Sequence, residues 1–237
     1  MTTEDMEAAR LVAKSVEGAP AREVPQRLCT ALCETLGVDG ATLSLLTDTP
    51  SRQMLAASDD TALLLEEIQF TVCEGPCVSA AATGEPVLVD DLRYALSPWP
   101  LFGASMREKL PQVTSVYAFP LYFGDYVLGS IDLLGLRSHT LDRSILAQAS
   151  HAADAVAAAL LPNRDLLITG REAPAWEPEE VVRAHWFDVR RAVGLVVSRR
   201  GLSPENALAV MRAKAFRTGR TLADITADIL RQPPRTT

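Results

Sequence analysis

The chain has 237 residues, 48% of them hydrophobic and 22% charged, with a formal net charge of −7. That length holds one large domain or two ordinary ones, and the composition excludes a disordered or low-complexity chain. No run approaches the roughly 18 apolar residues that a bilayer span requires, and the acidic start MTTEDMEAAR is unlike a secretory signal, so a cytoplasmic protein without membrane contact is expected.

In chain order, residues 4–16 and 24–36 carry apolar positions at helical spacing, and Gly37 stands where the second helix would stop. ATLSLL (41–46) and RQMLAAS (52–58) flank a Thr-Asp-Thr-Pro turn and read as a hairpin. Residues 60–69 return to a helical pattern. Glu74-Gly75-Pro76 breaks it before a short small-residue helix, CVSAAAT, closed by Gly84. EPVLVDD (85–91) reads as a strand, and SPWPLFG (97–103) as part of a long irregular crossing. Residues 114–122 and 125–134 form the clearest hairpin, turning at Gly124-Asp125, and Pro120 suits an edge or a bulge better than a central strand. A long apolar-striped helix over 141–161 closes this part. Strands gathered in the middle, joined by hairpins and flanked by helices, point to an α+β fold on a central antiparallel sheet.

Residues 162–180 contain three prolines and break every periodicity, so 1–161 (core 20–161) is read as one domain, 162–177 as a linker and 178–237 as a helical unit. Charge divides along the same line. Residues 183–237 hold eleven of the 23 Lys+Arg but four of the 30 Asp+Glu, a net +7 against −14 for the rest. Such a split is a footprint of a nucleic-acid-binding appendage on an acidic body. Val182, Val189 and Val196 recur every seven residues with Trp186 and Val193 interleaved, the pattern of a two-helix seam, and a homodimer is expected through it. Ser203 and Thr221 are placed as N-caps of the two following helices, with Pro204 at the first helical position and Gly219 as a stop. Leu208, Met211, Ala215 and Phe216 would make the core of this three-helix unit. Small Ala192 and Gly194 would let its helices approach closely, since a mid-helix glycine costs about 1 kcal/mol against alanine and needs a reason. Arg190, Arg191, Arg199, Arg200, Arg212, Lys214, Arg217 and Arg220 are left facing solvent.

Four cysteines fall in two pairs. Cys29 and Cys33 lie within a helical pattern and read as buried reduced thiols, so no metal site is expected. Cys73 and Cys77 flank a Gly-Pro turn and, with Trp99 and Phe102, are candidates for a ligand pocket; structural thiols and core aromatics are the alternatives left open. No nucleophile elbow, Walker loop or His-Glu-x-x-His segment is present, and His139 and His151 join no cluster, so no catalytic residue is assigned.

The tail sequence 190–230 resembles the ANTAR domain. The matching features are Ala192-x-Gly194, Gly201-Leu202-Ser203, Glu205 with Ala207, Met211-Arg212-x-x-Ala215, and Arg220-x-Leu222 before the Ala-Asp-Ile turn. Met211 departs from the family's usual leucine. The resemblance implies an RNA-binding antitermination module, with Ala192, Gly194, Ala207, Met211, Ala215 and Leu222 packing it and the eight basic residues above gripping RNA. CEGPC (73–77), TGEPVLVDDL (83–92), WPLFG (99–103) and SVYAFPLYFGDYVLGSIDL (115–133) resemble a GAF domain. That implies an antiparallel sheet with helices on one side, serving as a small-molecule sensor of unknown ligand or as a dimerisation module. The cysteine spacing is unlike that of the free-methionine sulfoxide reductase, a stand-alone GAF enzyme. Together the resemblances imply a non-enzymatic, cytoplasmic, dimeric regulator that binds leader-RNA hairpins. The rival is a GAF interaction module whose helical tail docks a protein or DNA.

Overall fold

The computed structural model describes residues 3–46, 52–92, 98–136, 142–163 and 188–232. Five strands, β1 (Gly40–Leu46), β2 (Arg52–Ala57), β3 (Val87–Val89), β4 (Ser115–Phe123) and β5 (Tyr126–Gly135), form one antiparallel sheet in the order β2-β1-β5-β4-β3. Strand alternation sends Leu43, Leu45, Tyr117, Phe119, Leu121, Ile131 and Leu133 to one face, where α1 (Thr3–Ser15), α2 (Val24–Leu36) and α6 (Arg143–Leu160) bury them. The opposite face carries Thr42, Ser44, Val116, Ala118, Ser130, Asp132 and Leu134, as the register pairs Thr42 with Asp132, Ser44 with Ser130 and Ala118 with Asp132. It is covered by α3 (Asp60–Val72), α4 (Pro76–Thr83) and α5 (Pro100–Lys109), whose Leu65, Phe102 and Met106 pack with Val116 and Leu134. Helices therefore lie on both sides of the sheet, correcting the one-sided arrangement that the resemblance implied.

Two local features depart from the sequence reading or refine it. Residues 100–109 are helical rather than an irregular crossing: Pro100 opens α5, and the Glu74 carboxylate accepts from the backbone N–H groups of Leu101 (2.8 Å) and Phe102 (3.3 Å). That cap comes from the turn before α4, so it is invisible to a local pattern. Pro120 lies within β4, beyond the three residues, Val116–Ala118, that pair with β3, and beside the register shift at Leu121/Tyr122. Its missing N–H therefore costs no bond to β3.

The basic unit folds as α7 (Asp188–Arg200), α8 (Pro204–Arg217) and α9 (Leu222–Arg231). Ser203 caps α8 by accepting from Asn206 N–H, and Thr221 and Asp224 cap α9 reciprocally in a capping box. Val189, Ala192, Val196, Ala207, Leu208, Met211, Ala215, Leu222, Ile225 and Ile229 form the core, with Phe70 of α3 packed against it.

Three expectations for this unit are corrected. Phe216 is 41% exposed and outside the core, because Ala207, Leu208, Met211 and Ala215 already fill the inward stripe of α8. Gly194 is exposed, and a Cβ there would meet nothing within 4 Å, so it makes no close helix approach. The dimer seam fails at Val189 and Val196, which are buried inside their own bundle, while Val193 is half-buried against the same cluster. Val182 and Trp186 of that seam lie outside the described residues, as do His139 and most of the linker.

Candidate nucleic-acid interface

Three helices of the bundle converge on a groove of about 430 Å³. Its floor is apolar: Val196 from α7, Val210 and Met211 from α8, Ile225 and Ile229 from α9. Its rim is basic. Arg199 and Arg200 come from the last turn of α7, where the helix dipole favours cations, and Lys214 comes from α8 one turn beyond Val210. Arg199 is held in place by Gln232, donating to its side-chain and backbone oxygens at 3.2 Å each. Arg200 is exposed and Lys214 half-buried. Apolar floor and cationic rim together suit a ligand with a flat apolar face and a negative edge, which describes a nucleotide better than a bare anion.

The other predicted cations lie elsewhere on the bundle. Arg190 and Arg191 are exposed near the start of α7, with Arg191 bridging to Asp188 at 3.3 Å, and Gly194 leaves the helix surface bare one turn on. Arg217 is exposed at the end of α8. Arg220 closes the bundle instead: it donates to Asp228 at 2.6 Å and to the Asp224 carbonyl at 3.3 Å. The hydrogen bond from Arg220 holds the Asp228 carboxyl below its ordinary range, and the same bond raises Arg220. Arg212 faces the first domain. Its Nε donates to the Phe70 carbonyl at 3.1 Å and its guanidinium lies 5.2 Å from the centre of the Phe70 ring. Nearby, the Leu222 N–H donates to Thr71 Oγ1 at 3.2 Å, so consecutive residues of α3 grip both α8 and α9.

A sequence model of the GAF domain matches residues 18–161, and one of the ANTAR domain matches residues 188–230. The chain belongs to the GAF domain family and carries an ANTAR domain. A GAF domain is a sensor module and an ANTAR domain an RNA-binding antitermination module, which is the domain composition of a regulator. Among solved structures, the chain is similar to the GAF domain of a phosphoenolpyruvate-protein phosphotransferase from Coxiella burnetii. The TM-score is 0.54 at 18% identity, covering 69% of this chain and 97% of that one. The GAF domain of the Acinetobacter phosphoenolpyruvate-protein phosphotransferase gives a TM-score of 0.50 at 10% identity, covering 69% and 96%. Free methionine-R-sulfoxide reductase from Neisseria meningitidis gives 0.50 at 12%, covering 70% and 95%. At such low identity the structural likeness shows a common fold alone. No curated protein sequence matches the chain. Among the described residues, no helix is long and apolar enough to cross a membrane.

Within the GAF domain, the four pocket candidates differ in setting. Cys73 ends α3 with φ 57° and is exposed, whereas Cys77 is fully buried under α4 against Ala80 and Ala118. Phe102 is a core residue of α5, packed edge-to-face on Trp99 with ring centres 6.3 Å apart. The Trp99 Nε1–H donates to Ser79 Oγ at 2.9 Å, tying α5 to α4. Sequence reasoning passed over the apolar floor of the ANTAR groove, namely Val210, Ile225 and Ile229. Val210, an apolar residue off the helical stripe of Leu208, Met211 and Ala215, was the available signal.

Proposed function

We propose that this protein is a signal-responsive, non-enzymatic regulator that binds hairpins in leader RNA through its ANTAR domain and promotes transcription antitermination. It works in the cytoplasm as a homodimer joined elsewhere than through Val189 and Val196, with the GAF domain as sensor or dimerisation module. The observation that carries the RNA reading is the joining of Arg199, Arg200 and Lys214 at the rim of one apolar groove. Arginine offers a planar fork to phosphate and a flat face to unstacked loop bases, and an apolar floor beside it favours stacking over hydrated ion pairing. Gly194 marks a second basic surface, away from that groove. It sits exposed on α7 near Arg190 and Arg191, where a bare helix surface lets a nucleic-acid backbone approach, a functional reason for tolerating a helix-weakening residue. Arg212 is one of the points at which the GAF domain holds the ANTAR domain, and releasing it adds one more cation to the RNA contact.

The test titrates the full chain against a two-hairpin leader RNA at low and near-physiological salt, with duplex DNA as competitor. Replacing Arg199, Arg200 and Lys214 by glutamine is expected to weaken binding and to flatten the logarithmic salt slope by about 2, at roughly 0.7 per single-strand phosphate contact. Binding that ignores these charges, or that duplex DNA displaces as well as RNA does, would overturn the reading.

A further inference from the structure

The GAF sheet face beneath α3 and α4 is polar where a sheet buried on both sides is ordinarily apolar. Thr42, Ser44, Ser130 and Asp132 lie there on adjacent strands, each no more than 1% exposed. Above them α3 supplies Glu66 and Gln69, and α4 supplies Cys77, all three buried. Cys77 Sγ lies 3.6 Å from Glu66 Oε2. Gln69 ties the group together: Nε2 donates to Asp132 Oδ2 at 2.5 Å and reaches Glu66 Oε2 at 3.5 Å, while Oε1 accepts from the Cys77 N–H at 3.0 Å. One ligand atom each from Glu66, Cys77 and Asp132 lies within 4.8 Å of the other two. Two further polar atoms of this face, Thr42 Oγ1 and Ser130 Oγ, are buried with no hydrogen-bond partner. Thr42 is the cross-strand neighbour of Asp132, and Ser130 stands two residues along the same strand, so both belong to the same polar patch.

We propose that Glu66, Cys77 and Asp132 bind a divalent transition-metal ion of the Zn²⁺ class. Two carboxyl groups and a thiol crowded in a dry interior repel one another when ionised, and each loses its hydration on burial. A divalent cation among them converts that repulsion into attraction. The thiol selects the class: a sulfur ligand suits zinc, iron or cobalt, whereas magnesium and calcium call for oxygen donors alone. Zinc lies about 2.0–2.3 Å from such ligands, so donor atoms within 4.8 Å of one another surround it after a shift on the order of 1 Å. Gln69 is placed to hold the Asp132 carboxylate in position from outside the ligand set. The hydroxyls of Thr42 and Ser130 are available to a fourth ligand such as water. On binding, the Cys77 thiol gives its proton to solvent as the sulfur–metal bond forms. Gly75 protects the arrangement: it holds φ 136°, and a Cβ there would collide with the Gln69 side chain.

The experiment uses the full chain, stripped with a chelator and dialysed. Zn²⁺ is titrated in competition with a chromogenic chelator, and Co²⁺ is added separately as a spectroscopic probe. One equivalent of zinc, a thiolate-to-cobalt charge-transfer band and a melting temperature raised by several degrees at saturating zinc are expected. Cys77→Ser is expected to abolish the cobalt band, Asp132→Asn to weaken zinc binding at least about tenfold, and Cys33→Ser and Cys73→Ser to leave both intact. A folded protein that takes up no ion, or a cobalt band that survives Cys77→Ser, overturns the proposal. Should Cys77→Ser fail to fold, the near-isosteric Asp132→Asn decides, since unchanged affinity in that variant overturns it equally.

Discussion

Asp228 joins Arg220 of the α8–α9 turn to Arg231 at the end of α9, at 2.6 and 2.7 Å, so one carboxylate fixes both ends of the last helix. Its folded-state pKa is depressed, first by the hydrogen bond from Arg220 and then by the charges of Arg220 and Arg231. A depressed carboxyl contributes stability that is present above its ordinary value, near 3.8, and is lost as pH falls through the folded value. Asp228→Asn is therefore expected to lower the melting temperature at pH 7 and to match the parent once pH falls below the folded value; a melting series from pH 7 down to 2.5 checks it. The thiols give a second test. Burial raises both Cys29 and Cys33, and Cys73 is the exposed cysteine. In the native protein a disulfide reagent is expected to label Cys73 first and leave Cys29 unlabelled, with the fast phase gone in Cys73→Ser. Single residues were also the least legible part of the sequence. Glu66, Gln69 and Asp132 are interrupting polar residues in apolar stretches, and a helical or strand pattern alone reads such residues as solvated. Their burial follows from α3 and α4 crossing one sheet face, which no local window contains.

Elements were legible wherever the signal was local. Caps at Ser203 and Thr221, the Gly124-Asp125 turn and the apolar stripe of α6 each sit beside the element they define. Helix α5 was missed because its N-terminus is capped by Glu74, remote in sequence, and because prolines at 98 and 100 read as breakers. A carboxylate on exposed helix N–H groups is worth roughly 0.5–2 kcal/mol. Glu74→Ala is expected to lose about that much in urea denaturation with no change in the slope of the transition, because the surface buried on folding stays the same. A change of slope instead would mean that α5 melts as a separate unit. Helix α3 is the other element whose role no periodicity announced. Its Glu66 and Gln69 point into the sheet, while Phe70 and Thr71 hold α8 and α9, so one helix touches the sensor interior and the RNA-binding bundle together.

At the scale of the whole molecule, the charge split of +7 against −14 has a structural counterpart in that contact. An acidic body repels nucleic acid at a distance while the basic bundle attracts it, so the ANTAR domain docked on the GAF domain is expected to bind RNA less well than its own charge alone would predict. Arg212 makes the point testable, because it is a basic residue of the bundle whose guanidinium is engaged by the Phe70 ring and carbonyl. Removing the ring in Phe70→Ala loosens the hold without altering any charge. RNA affinity of the full chain is then expected to rise several-fold, and the logarithmic salt slope to steepen by about 0.7 as Arg212 joins the phosphate contacts. Arg212→Gln in the Phe70→Ala background should cancel both gains, whereas Arg212→Gln alone should change little, because the parent already keeps this cation from RNA. This double-mutant cycle separates release of a cation from a general loosening of the bundle, since loosening leaves the gain insensitive to residue 212. Equal RNA binding by the parent and Phe70→Ala, with both shown folded by melting, would mean that the interdomain contact is structural and exerts no control over RNA.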